Sequence, residues 1–201
     1  MIFKNAILFG IFFILYSCNS QNNKLEKKMV VCVNKSISKN ASDIYGEIEI
    51  DFYNLMGEVE KILINEKFIK SPDQNNYRKL LKQITSNSIE VESIYKKINL
   101  FLESNKFDYN DFINISIVFR KCINKAIVNK ANHEDSTFSK QSRIFSHLEI
   151  QGFNDYSILD KLIFETKKDD FDKIVYRSPI ILLTIINMGY QVNGIPKKIK
   201  F

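Results

Sequence analysis

From residue 43 onward, apolar side chains return every three or four positions, with charged and amide residues between them. Ile44, Ile48, Phe52, Leu55, Met56, Val59, Ile62 and Leu63 trace one buried face of a helix over residues 43–65. A second stripe, Tyr77, Leu80, Leu81 and Ile84, follows a start signal in which Ser71 is the N-cap, Pro72 sits in the first turn and Gln74 lies three after the cap. Past the polar break at residues 86–88, Val91, Ile94, Ile98, Phe101 and Leu102 mark a third helix. Asp108 or Asn110 caps a fourth, with Phe112, Ile115, Phe119, Cys122, Ile123, Ala126 and Ile127 inward. Residues 132–142 (NHEDSTFSKQS) read as a loop, and residues 144–153 fit helix and strand equally. Ile158, Leu159, Leu162 and Ile163 give a short helix, and Asp169 and Asp170 suit the start of another. Ser178 and Pro179 cap a last helix, residues 180–188 (IILLTIINM), which Gly189 stops. Being apolar all round yet too short to span a bilayer, that helix belongs in the middle of the core.

This pattern predicts an all-α fold, a single domain of about six helices. Residues 29–33 (MVVCV) are β-prone and allow one short N-terminal strand or an extended segment pinned to the core. With 201 residues the chain can bury one real core and is too short for two large ones. Its sparse glycine and proline favour long helices over many short strands.

The N-terminus obeys a different pattern. Lys4 precedes an unbroken apolar run, residues 6–15 (AILFGIFFIL), half the length a membrane-spanning helix needs. The run ends in Leu15-Tyr16-Ser17-Cys18 and then turns polar at once. Over residues 1–21 this resembles the signal peptide and lipobox of bacterial lipoproteins, and the SCNSQ junction is similar to those of the Bacteroidota type. The resemblance implies that Cys18 takes a diacylglyceryl group, that cleavage before it removes residues 1–17, and that the new amine is acylated. Two or more acyl chains hold a soluble domain stably on a bilayer without a spanning helix. Residues 18–28 would then form a lipidated flexible tether, and residues 29–201 the helical domain. In that group, acids just after the cysteine resemble a surface-export signal. None lies between Cys18 and Lys24, so the domain is expected to face the periplasm from a lipid anchor in the cell envelope, with the outer membrane as the expected site.

Net charge is +6, and Lys4 is the one charged residue in 1–17, so the mature domain stays basic. Lys and Arg read as spread over every helix and not gathered, which argues for a solvated surface and against nucleic acid as a partner. Lys24, Lys27 and Lys28, next to the tether, could sit against anionic head groups.

Candidate chemistry is thin. Cys32 and Cys122 stand either as a disulfide, in a compartment that permits one, or as two buried thiols in apolar settings. They form no metal-ligand spacing. His133, beside Glu134 and Asp135, and His147 are the two histidines, and neither belongs to an HExxH or HxH pattern. There is no GxSxG elbow, S-x-x-K motif or glycine-rich phosphate loop, so no catalytic residue, metal ligand or cofactor is assigned. Asp169, Asp170 and Asp172 form the densest acidic group, and a solvated helix start accounts for them. Two function classes remain. The first is a non-catalytic protein-binding or structural module that meets another envelope protein, an immunity or inhibitor protein being one concrete form by class analogy. An exposed aromatic or acidic patch would mark it. The second is a periplasmic hydrolase built around His133 or His147, which needs a pocket with a nearby carboxylate or serine.

Overall fold

A computed structural model describes residues 3–107, 112–127 and 136–194, with side chains described in 24–107, 115–127 and 136–194. Among these residues all regular structure is helical: α1 (Phe3–Tyr45), α2 (Phe52–Asn65), α3 (Gln74–Thr85), α4 (Glu92–Ser104), α5 (Phe112–Ala126), α6 (Thr137–Gln151), α7 (Tyr156–Glu165), α8 (Lys168–Phe171) and α9 (Ile174–Asn193). The class is all-α. The helix count exceeds the expected six because α1 replaces the expected tether and strand and α6 replaces the expected loop and ambiguous segment.

α9 is the axis of the fold. Its side chains are buried on every side from Val175 to Gly189, and it packs against α1, α2, α3, α4, α7 and α8. Around it, α3, α7, α6, α5, α1, α2 and α4 touch one another in that sequence. Met29, Val33, Phe52, Met56, Tyr77, Ile98, Phe119, Leu148 and Ile180 are among the side chains at or below 2% exposure in the shared core. Each fully buried aliphatic or aromatic group of this size stabilises the fold by roughly 1.5–3 kcal/mol before the loss of chain entropy is counted.

Several local expectations are corrected. Residues 29–33 form no strand but a turn of α1, because Met29 and Val33 continue a stripe with Leu25, Ile37 and Ala41, all buried, at a spacing of four. The flexible tether expected over 18–28 is helical in its backbone, and from Leu25 onward it packs on the domain. The helix expected over 43–65 is broken: α1 stops at Tyr45 and Gly46 takes φ 82°, a left-handed angle that favours glycine. Ser38 and Ser42 on α1 then bind the backbone of Ile50 and Ile48, which ties the connection down.

The N-cap of α3 is Asp73, not Ser71; its carboxylate accepts from the Asn76 amide while Ser71 donates to Asp73. Residues 137–142, read as loop, open α6, whose cap is Ser136, and the ambiguous residues 144–151 complete that helix. The caps proposed at Asp108 and Asn110 lie outside the described residues. Ser178 and Pro179 lie inside α9 and not at its start, with the Ser178 hydroxyl donating to the Ile174 carbonyl at 2.7 Å. Gly189 does not stop the helix, which runs on to Asn193. Gly189 is small because a Cβ there would meet the Tyr95 hydroxyl at 3.1 Å. No helix among the described residues is long and apolar enough to cross a membrane.

One polar node sits inside this apolar frame. Arg177 of α9 and Glu60 of α2 form a two-pronged ion pair, Nε to Oε1 at 2.8 Å and Nη2 to Oε2 at 2.7 Å, with both side chains 8% exposed. Arg177 Nη1 donates to the Phe171 carbonyl, and the buried Tyr77 hydroxyl donates to Glu60 Oε1 at 2.7 Å. Burial, then the Glu60 carboxylate, push the Tyr77 phenol well above its ordinary pKa, so it stays a donor.

Candidate functional site

The two faces of α1 differ completely. Leu25, Met29, Val33, Ile37 and Ala41 point into the core, and the opposite face carries Lys24, Lys27, Lys28, Val31 and Lys35. Packing of α1 on α5 brings Cys122, Lys125 and Ala126 beside that basic face. Together these residues line an open groove of about 720 Å³ between the two helices. Its floor is apolar, made by Val31, Ala126 and the Cys32–Cys122 disulfide, whose Cα atoms are 5.7 Å apart and whose cysteines are 90 residues apart in sequence. Its rim is Lys24, Lys27, Lys28, Lys35 and Lys125.

Among the described residues the charge is uncompensated, for a reason visible on the helix. Between residues 24 and 42, Glu26 is the only acid, and residues 112–126, which form α5, contain none. Glu26 is turned away from the groove: Lys173 donates to its Oε1 at 2.6 Å and the Tyr176 hydroxyl at 3.2 Å. None of the five rim lysines joins an ion pair among the described residues. The expectation that Lys and Arg are evenly spread therefore fails here. A continuous helix through residues 24–35 aligns Lys24, Lys27 and Lys28, expected in a flexible tether, with Lys35, which lies beyond the expected strand, and α5 supplies the fifth.

The sequence-stated candidates are not gathered in one place. Cys18 falls within the backbone of α1, its side chain outside the described set. His133, Glu134 and Asp135 also lie outside the described residues. His147 is exposed on α6 and lines a separate depression of about 470 Å³ with Lys140, Arg143, Ile144, Ser146, Lys161 and Glu165. There the carboxylate, Glu165, is held by Lys140 at 2.9 Å. That hydrogen bond keeps the Glu165 carboxyl below its ordinary range. The Ser146 hydroxyl donates to the Ser142 carbonyl of its own helix at 3.2 Å. The geometry thus holds the acid and the hydroxyl in other contacts and leaves a cationic hollow around the imidazole. Of the acidic cluster, Asp170 accepts from the Thr137 hydroxyl at 2.6 Å, which fastens α8 to the start of α6. Among the described residues no group of three or more His, Cys, Asp or Glu side chains could hold a metal ion.

Two features escaped the sequence reading, the lysine groove and the Arg177–Glu60–Tyr77 node. The first had a signal: Lys24, Lys28 and Lys35 share helical spacing with Val31, opposite the stripe of Leu25, Met29 and Val33. The second had a weaker one, since Glu60 occupies an inward position next to Val59 and four before Ile64. No protein-family model, no curated protein and no solved structure matches this chain.

Proposed function

We propose that this chain is a lipid-anchored lipoprotein of the cell envelope, held through acylated Cys18 on the outer membrane, with a helical domain that faces the periplasm as a non-catalytic protein-binding or structural module. The order Lys4, apolar residues 6–15 and Leu15-Tyr16-Ser17-Cys18 supports the anchor. The observation that carries a binding role is the groove on the same helix: five lysines at the rim of an apolar floor, none of which joins an ion pair among the described residues. Charges kept unpaired and together on one open face are suited to a partner of opposite sign.

The test is expression of the wild type and of Cys18→Ala, each with a C-terminal tag, in a bacterium that processes lipoproteins, with a radioactive fatty acid in the medium. The wild type is expected to take label and to fractionate with membranes, and Cys18→Ala to do neither. Equal behaviour of the two without label would overturn the anchor.

A further inference from the structure

We infer that the groove between α1 and α5 is a seat for anionic phospholipid headgroups, so that the domain lies with these two helices against the bilayer that anchors it. This rests on acylation of Cys18, and the first argument is where Cys18 stands. It belongs to the same continuous helix as Lys24, so about 9 Å of helix, at 1.5 Å per residue, separates the acylated position from the first rim lysine. An anchored chain brings this rim to headgroup level before any other part of the domain.

The second argument is the character of the charge. The rim is built from lysine alone, with Lys24, Lys28 and Lys35 in a row along α1 and Lys125 across the groove. Lysine is a compact, strongly hydrated charge on a flexible stem, whereas a fixed carboxylate on a protein is read best by the planar fork of arginine. A row of flexible point charges matches a plane of mobile negative heads. The third argument is the floor. Val31 is 66% exposed in the middle of the basic row. It can enter the interfacial region while the lysine stems lie along apolar surface and their ammonium ends stay at the phosphates. An acidic protein segment is the competing occupant, and the test separates the two.

The purified, acylated protein is placed in vesicles of phosphatidylcholine alone or with about a third phosphatidylglycerol, a composition chosen to give a strongly negative surface. Each lysine is then scored by its rate of acetylation with an amine-reactive reagent. The expected result is that Lys24, Lys27, Lys28, Lys35 and Lys125 react several-fold more slowly in the anionic vesicles and recover in high salt. Lys61 of α2 and Lys96 of α4 should react at the same rate in both. The triple variant K24Q/K28Q/K35Q should keep its acyl groups yet lose the salt-sensitive protection of Lys27 and Lys125. The inference is overturned if the five lysines react alike in both vesicles, or if polyglutamate protects them in neutral vesicles where phosphatidylglycerol does not. Intact mass reports acylation separately. A chain without acyl groups would sink the anchoring reading, and unchanged rates on a properly acylated chain would sink the headgroup reading alone.

Discussion

Arg177 and Glu60 meet with both side chains 8% exposed, bound to each other, to Tyr77 and to a backbone carbonyl, whereas Lys24, Lys28 and Lys35 stand on an open face of α1 with no ion pair among the described residues. The contrast shows what each place permits. In the core a charge survives only if every hydrogen-bonding direction is answered, because losing water costs several kcal/mol per ion. On the surface water answers instead, so charge can accumulate at little cost and stay available. The inner node therefore fixes the seat of α9 against α2, and the outer groove leaves the fold almost untouched while shaping what the protein can meet.

The sharpest way to break the comparison is to remove one side of the buried pair. Arg177→Met strands the Glu60 carboxylate, and a loss of about 3–5 kcal/mol is expected in urea unfolding. The double change Glu60→Gln with Arg177→Met should recover much of it, since both charges are then gone. If Arg177→Met unfolds like the wild type, the node is not satisfied as described.

Next in size is the disulfide beneath the groove. Reduction, or Cys32→Ser with Cys122→Ser, frees a loop spanning 90 positions and should cost about 2–4 kcal/mol. Unfolding monitored with and without reductant measures it. An unchanged midpoint would mean that α1 is held on α5 by side-chain packing alone.

A half-exposed pair falls between the two extremes. Arg78 donates to both Asp160 oxygens, at 2.6 and 3.0 Å, and this hydrogen bonding holds the Asp160 carboxyl below its ordinary pKa. A group lowered in the folded state stabilises it above the unfolded value and stops doing so as pH falls through the folded one. Arg78→Ala should thus cost under about 1 kcal/mol at pH 7 and less at an acidic pH below the ordinary carboxylate range, as Asp160 takes up its proton. Unfolding midpoints at both pH values give the difference, and a cost that persists in acid would assign it to packing.

The smallest effect on stability belongs to the groove. Lys24→Gln, Lys28→Gln and Lys35→Gln together should shift unfolding by less than about 0.5 kcal/mol. Their effect should appear instead in the vesicle experiment. A large destabilisation would mean that these lysines serve the fold after all.

Much of the architecture was legible because helical periodicity is a local property. Among the described residues, the stripe positions within α2, α3, α4 and α5 are buried apart from the partly buried Ile62 and Phe101, whereas Ile44, which falls on α1 and not on α2, is 69% exposed; the all-round apolar run of residues 180–188 lies in the centre of the fold. The boundaries were not legible. Ser178-Pro179 resembles a start signal, yet α9 begins at Ile174 because Val175, Tyr176 and Arg177 are drawn into the core from the other side. Gly189 resembles a stop, and the crowding of Tyr95, a residue of α4, is what makes glycine suitable there. Residues 29–33 resemble a strand when read as a five-residue window, and only the longer stripe from Leu25 to Ala41 makes them helix.

By itself the sequence determined the class of the fold, the inward faces of most helices, and the pattern at residues 1–21 that resembles a lipidation signal, since each is written in neighbouring residues. Tertiary structure decided which charges meet and which stay open. Lys125 joins the α1 lysines, Glu26 leaves them for Lys173 and Tyr176, and Arg177 finds Glu60, 117 positions away, because helices bring together residues that no local spacing relates.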